Sequence, residues 1–167
     1  MLEGIPILFH VARSRAIFDF LERRDVNFLQ RDERTGETLL HCATLDRDSA
    51  LFEKVVAWYA TRNLLEESGR SGITALSAAL KFGLIERTEK LIDASADMSA
   101  VAANDPTPIR QATYCLDGED AAISGLNLLL LRGVEVSRDE ALHLKQSAAD
   151  LGRGEVEKWL DGHLKFD

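Results

Sequence analysis

Four histidines, His10, His41, His143 and His163, are the most versatile candidates in this chain for metal binding or acid–base chemistry. A zinc or catalytic site needs ligands that converge, and these histidines are spread along the whole chain without a clustered partner set. His41 and Cys42 are adjacent, but neighbouring side chains on a helix point about 100° apart. We therefore predict no metal site and no histidine-based catalytic site.

The two cysteines, Cys42 and Cys115, are too few for a disulfide framework. Both fall in segments that the sequence pattern predicts to be helical, where a free thiol usually packs as a small hydrophobe. No lysine or histidine stands near Cys115 in the sequence to activate it as a nucleophile. We predict two unreactive thiols and a reducing compartment.

Two further segments suggest ligand chemistry by composition alone. The acidic run from Asp117 to Asp120 lacks the alternating ligands and the closing glutamate of a calcium loop, and acids at a helix start complement its dipole. The segment from Ser68 to Gly72 lacks the Gly-Lys-Ser/Thr of a phosphate loop. No nucleophile, base and orienting acid recur at an interpretable spacing, so the sequence predicts neither a cofactor nor an enzyme.

The composition favours closely packed helices. The 167 residues are 46% hydrophobic but only 7% aromatic, with 3 prolines and abundant leucine and alanine. A formal net charge of −8 repels phosphate backbones and acidic lipids, so we expect no nucleic acid and no membrane as partners. The apolar run from Leu126 to Leu131 is far shorter than the roughly 20 residues that span a bilayer. We expect a soluble, cytoplasmic protein.

A group of arginines near the N-terminus has two interpretations. Interleaved acidic residues favour an ordinary solvated helix exterior, whereas a contact surface for an acidic protein is the alternative. The group consists of Arg13, Arg15, Arg23, Arg24, Arg31 and Arg34.

Small residues recur along the chain at a nearly constant period. Taken as anchors in successive helices, they are separated by 31, 36, 33 and 36 residues. Such spacing predicts an array of helix pairs, each of which buries its apolar face against its neighbours. The anchors are Ala12, Ala43, Ala79, Ala112 and Ala148.

Local motifs precede these anchors. Gly-Glu-Thr-Leu-Leu-His-Cys-Ala runs from Gly36 to Ala43, Gly-Ile-Thr-Ala-Leu-Ser-Ala-Ala from Gly72 to Ala79, and Asp-Pro-Thr-Pro-Ile-Arg-Gln-Ala from Asp105 to Ala112. These segments resemble the Gly-x-Thr-Pro-Leu-His-x-Ala signature of ankyrin repeats. The glycine provides a positive φ, the threonine caps a helix start, and Pro108 suits a first helical turn.

The resemblance implies an all-α ankyrin-repeat solenoid of about five helix-turn-helix repeats. The approximate repeats are 4–31, 32–68, 69–101, 102–138 and 139–163, within one domain of residues 1–167. In this family, His10 and His41 would hydrogen-bond the backbone at the turns. Extra residues around Asp117 to Asp120 leave two alternatives open: a binding loop, or a loop that lengthened without function.

The resemblance also implies a protein-binding function on the concave face. The solvent-facing positions two and three residues after each anchor are Leu45, Asp46, Lys81, Phe82, Tyr114 and Cys115, with Ser14, Arg15, Asp150 and Leu151 in the end repeats. Phe82 and Tyr114 are expected near one another, although Phe82 could instead fold into the core. The turns contribute Arg34, Arg70 and an exposed Ile73, together with Thr35, Glu37, Ser71, Ala103 and Asn104.

We therefore predict a non-catalytic module that binds a partner protein, as an adaptor, inhibitor or sequestering factor. The alternative is a substrate-recognition segment of a larger enzyme or regulator. A monomer is expected, and the identity of the partner is not encoded in a recognisable motif.

Overall fold

The computed structural model describes residues 14–24, 26–100 and 106–164. Within these ranges the chain forms nine helices and no strand, so the predicted all-α class is confirmed. No helix in the same ranges combines the length and apolar character needed to cross a bilayer. The helices are α1 (Arg15–Glu22), α2 (Leu39–Leu45), α3 (Ser49–Ala60), α4 (Ala75–Lys81), α5 (Ile85–Asp93), α6 (Pro108–Thr113), α7 (Glu119–Leu131), α8 (Arg138–Asp150) and α9 (Gly154–His163).

Polar side chains and a proline define several helix starts. Asp48 accepts hydrogen bonds of 3.0 Å from two backbone N–H groups in the first turn of α3. Thr74 accepts a hydrogen bond of 3.2 Å from the Ser77 N–H at the start of α4, as the motif predicts. Pro108 is the first residue of α6, where the missing N–H would have had no helical partner.

The helices pack in pairs that follow the chain. α2 contacts α3, α4 contacts α5, α6 contacts α7, and α8 contacts α9. The first members of these pairs, α2, α4, α6 and α8, also contact one another in that order. On the other side, α1 contacts α3, and α7 contacts both α5 and α9. The first helix predicted for the first repeat, around His10 and Ala12, lies outside the described residues.

Small residues in the core allow the helices to approach closely. Gly125 of α7 shows how tightly, since a Cβ there would lie 3.2 Å from a methyl of Leu80 and 3.4 Å from Ala112. In the same helix Leu129 is buried, whereas Leu130 is half-buried. The described anchor residues are all buried, namely Ala43, Ala79, Ala112 and Ala148.

Two predictions near α6 are wrong. The Thr107 hydroxyl does not cap its helix but donates a hydrogen bond of 3.1 Å to Glu140 Oε1 in α8. Cys115 was expected within a helix and on the solvent-facing surface, yet it follows the end of α6 and is completely buried. Both residues therefore stabilise the packing of neighbouring helices instead of capping or binding.

Candidate functional site

A groove of about 160 Å³ lies between α2 and α4 and includes residues from the turns that precede them. We call it the α2–α4 groove. It brings together six residues of the predicted binding surface, three from the helices and three from the turns: Leu45, Lys81, Phe82, Glu37, Ser71 and Ile73. The rest of its lining consists of Ala78 and His41.

Two large apolar side chains of the groove are exposed to solvent. Leu45, the last residue of α2, is 45% exposed, and Phe82, which follows the last residue of α4, is 42% exposed. The alternative that Phe82 folds into the core is therefore wrong. Because the two side chains come from neighbouring helices and line one groove, they offer a shared apolar surface.

Ile73 occupies a different position from the one expected. It is half-buried beside the groove and is not an exposed apolar tip. Its backbone carbonyl accepts hydrogen bonds from the Gly69 N–H at 3.2 Å and from His41 Nε2 at 2.8 Å. These two bonds fix the backbone of Ile73 at the edge of the groove.

His41 connects the two walls of the groove. Its Nδ1 lies 3.3 Å from the Thr38 backbone nitrogen, which can only donate, so Nε2 carries the proton that it donates to the Ile73 carbonyl. The ring is buried, and burial lowers the pKa of His41 below its usual value. The predicted role of His41 in bonding the backbone of the turn is confirmed.

The turns before α2 and α4 are joined by backbone and side-chain contacts. The Arg70 N–H donates to the Thr35 carbonyl at 2.8 Å. The Arg31 guanidinium donates to the Gly36 carbonyl at 2.9 Å and to the Ser68 carbonyl at 2.5 Å. The bonds from Arg70 to Thr35 and from Arg31 to Ser68 connect one turn to the next, so the rim of the groove is held together by hydrogen bonds.

Gly36 is required at this crossing. Its φ is +70°, a conformation that side chains with a Cβ rarely adopt. A Cβ there would also lie 2.8 Å from Arg70 Cγ and 2.9 Å from the Arg70 backbone nitrogen. The glycine of the motif therefore permits both the turn and the close approach of the next turn.

Arg34 and Arg70 lie in these joined turns with exposed side chains. Neither lines the groove, but Arg70 immediately precedes Ser71, which does. Beside Arg34, the Asp32 carboxylate accepts hydrogen bonds from Thr35 and from the backbone of Arg34, and the bonds from Thr35 in particular lower the pKa of Asp32. The two arginines therefore border the groove from turns that are joined by hydrogen bonds.

Asp46 lies outside the groove. It follows α2, where its carboxylate accepts a hydrogen bond of 3.0 Å from the Asp48 N–H. It also faces the charge of Arg87, whose guanidinium donates to the Ala43 and Thr44 carbonyls at 2.5 and 2.9 Å. Asp46 therefore interacts with neighbouring residues of the fold at the end of α2 and does not line the groove.

Tyr114 also lies outside the groove. It is half-buried after α6, and its hydroxyl lies 3.1 Å from the Ser147 hydroxyl in α8. Among the described residues its ring forms no aromatic contact with Phe82. The predicted binding positions therefore do not form one site. One group lines the α2–α4 groove, whereas Tyr114 lies where α6 contacts α8.

The binding positions predicted near the two ends of the chain are mostly exposed where the structure describes them. Ser14 is half-buried, whereas Arg15, Asp150 and Leu151 are exposed as predicted. Asp150 accepts a hydrogen bond of 2.8 Å from Gln146 within α8. Ala103 and Asn104 lie outside the described residues.

Sequence reasoning missed Ala78 as part of the groove. On a helix, residues three and four positions apart share a face, so Ala78 lies on the same face as Lys81 and Phe82. That spacing was a usable signal. Contacts between helix pairs were missed as well: Arg153 donates to the Thr113 carbonyl at 2.9 Å, and Glu119 accepts a 2.7 Å hydrogen bond from the Glu155 N–H.

The arrangement supports binding chemistry. No group of three or more metal-ligating side chains occurs in the part of the chain that the structure describes. The groove offers apolar contact with one cation and one anion in its lining, Lys81 and Glu37. In comparisons with known proteins, no family model and no curated sequence matches this chain.

Proposed function

We propose that this chain is a non-catalytic, ankyrin-repeat-type module that binds a partner protein through the face formed by α2, α4, α6 and α8. The α2–α4 groove is the centre of that binding surface. The proposal is supported by the repeated motifs from Gly36 to Ala43 and from Gly72 to Ala79. It is also supported by the regular packing of successive helix pairs.

One observation carries the proposal. Leu45 and Phe82 are large apolar side chains at the ends of neighbouring helices, both remain almost half exposed, and both line the same groove. Single exposed leucines are ordinary on a protein surface, but apolar side chains that converge in a concavity indicate a contact site. Covering the two side chains with a partner would contribute about 1 kcal/mol or more for each.

The cellular role that fits is an adaptor, an inhibitor or a sequestering factor. We propose that the module acts as a monomer in the cytoplasm, where the thiols of Cys42 and Cys115 would stay reduced. Repeat arrays hold a rigid, extended face toward a partner, and the hydrogen-bonded turns beside this groove suit that use.

The test compares matched pairs of variants in quantitative affinity capture from native cells. A Leu45→Ala, Phe82→Ala double variant should lose the proteins that the unaltered chain retains. A Leu131→Ala, Leu142→Ala variant removes two other exposed leucines, 84% and 70% exposed, and should retain them. Equal capture by both variants, with melting temperatures near that of the unaltered protein, would reject the groove as the binding surface.

A further inference from the structure

Exposed apolar side chains recur at one place in successive helix pairs. Each is the last residue of a first helix (α2, α4, α6 or α8) or lies within three residues after it. They account for four of the nine large apolar side chains that are exposed in the described part of the chain, and they are separated by 37, 34 and 35 residues. We call them the apolar row: Leu45, Phe82, Leu116 and Leu151.

The apolar row is continuous with the α2–α4 groove. Leu45 and Phe82 line that groove together. The Leu116 N–H donates a hydrogen bond of 2.7 Å to the Lys81 carbonyl, so Leu116 lies against the end of α4, where Phe82 follows Lys81. The apolar surface therefore extends beyond the groove to the end of α6.

Hydrogen bonds also join the end of α6 to the end of α8. Arg153 donates to the Thr113 carbonyl at 2.9 Å and to the Cys115 carbonyl. Cys115 immediately precedes Leu116. Leu151 lies two residues before Arg153. The row therefore runs across the ends of four successive first helices.

Packing within the fold does not account for this row. The exposed fractions of its four side chains run from 42% to 64%. A single exposed leucine is ordinary on a protein surface, but a large apolar side chain at the same place in four successive helix pairs forms a connected pattern. Such a pattern indicates a surface for contact with another molecule.

The period of the row indicates the shape of its occupant. The first helices contact one another in chain order, and packed helices lie about 8–10 Å apart. An α-helix rises about 1.5 Å per residue, so seven residues advance about 10 Å and return nearly to the same side of the helix. A partner helix that runs across the first helices therefore presents one residue to each member of the row for every seven residues of its own sequence.

Extended occupants fit the row less well. In a β-strand, residues three positions apart span about 10 Å, but they point to opposite faces. A polyproline II helix repeats every three residues at about 9 Å, but the grooves that bind it are lined by aromatic rings. Three of the four members of the apolar row are leucines, and an aliphatic surface suits the apolar face of an amphipathic helix.

We propose that the apolar row, with the α2–α4 groove at one end, binds an amphipathic helix of a partner protein that lies across α2, α4, α6 and α8. The helix is about 22 residues long and carries a large apolar residue at every seventh position. Leu116 and Leu151 contact the part of it that extends beyond the groove. This assignment rests on the proposed function of the face that these four helices form.

The experiment selects random 22-residue peptides, displayed on phage, for binding to the intact chain and measures the enriched sequences as synthetic peptides by fluorescence anisotropy. Enriched peptides should repeat large apolar residues seven positions apart and should gain helical circular dichroism when they bind. A Leu116→Ala, Leu151→Ala variant of the chain should weaken their binding about tenfold or more. A proline at a central, solvent-facing position of the peptide should weaken it as strongly, because proline interrupts a helix.

Leu131→Ala, Leu142→Ala is the matched control. It removes the same two side chains from exposed positions outside the apolar row. It should alter the binding of the enriched peptides less than twofold. Because all four of these leucines are exposed, both variants should melt within a few degrees of the unaltered chain.

The outcomes separate this inference from the proposed function. Peptides that depend on Leu45 and Phe82 but not on Leu116 and Leu151 would overturn the row and leave the groove as a binding site. Enriched peptides that tolerate the central proline, or that gain no helix on binding, would overturn the helical occupant. Equal weakening by the row variant and the control variant would overturn the assignment to the row. Enrichment of no peptide that depends on any member of the row would overturn both proposals.

Discussion

Replacing His41 should destabilise the fold more than replacing any other histidine in the described part of the chain. The ring is only 2% exposed, and it bonds the Thr38 backbone on one side and the Ile73 carbonyl on the other. In His41→Ala, the Thr38 N–H loses its acceptor inside the protein, and the ring leaves a cavity. The Ile73 carbonyl retains its bond from the Gly69 N–H, so only part of its bonding is lost.

A buried polar group without its partner costs about 1–3 kcal/mol, and the lost packing of the ring adds to this. We therefore expect His41→Ala to lower the free energy of unfolding by about 2–4 kcal/mol. For a chain of this length, that corresponds to a fall of roughly 5–15 °C in melting temperature. The measurement is urea and thermal unfolding followed by circular dichroism near pH 7.5.

His143→Ala is the control. His143 is exposed on α8, and its replacement should change the free energy of unfolding by less than about 0.5 kcal/mol. If His41→Ala changed the free energy of unfolding as little as His143→Ala, the bonds from His41 to the turns would not stabilise the fold. The account of the α2–α4 groove as a site on a rigid rim would then be wrong.

Three further predictions concern the same framework. Because burial lowers the pKa of His41 in the folded protein, the unfolded chain binds a proton at a higher pH than the folded one. The free energy of unfolding should therefore fall as the pH drops below about 6.5, by at most about 1.4 kcal/mol per pH unit. Urea titrations at several pH values should show this fall, and a smaller one in His41→Asn. Gly36→Ala should cost about 1–3 kcal/mol in the same assay, whereas Gly154→Ala, where a Cβ meets nothing within 4 Å, should be neutral or stabilising. Removing the partly exposed pair by Glu140→Gln should cost about 1 kcal/mol, and a double-mutant cycle with Arg110→Ala should assign that loss to the pair.

The motif residues were the most predictable part of the molecule because their roles are local. A threonine three residues before a histidine can form a reciprocal cap whatever the rest of the chain does, as Thr38 and His41 do. Gly36 and Gly72 adopt the positive φ expected of turn glycines, at +70° and +83°. The burial of the anchor alanines was predictable as well, because their nearly constant spacing can be read directly from the sequence.

Side-chain exposure on the predicted binding surface was less predictable. An offset from the anchor correctly gave exposed positions at Leu45 and Phe82 but failed at Cys115, which is buried. The chain leaves the helix after α6 before it reaches Cys115, so an offset along a continuous helix no longer applies. Tyr114 meets Ser147 because of the alignment of α6 with α8, which no single motif encodes.

The scaffold and the groove use different side chains, and this separation supports the division proposed between stability and binding. His41 and Arg31 donate hydrogen bonds within the protein, to backbone carbonyls of the next turn. Lys81 leaves its charge unpaired among the described residues, and Phe82 leaves 42% of its surface in water although both belong to the same structural unit. The hydrogen bonds that join the turns come from His41 and Arg31 and do not involve the side chains of Lys81 or Phe82. Their position in one groove is explained more economically by contact with a partner than by folding.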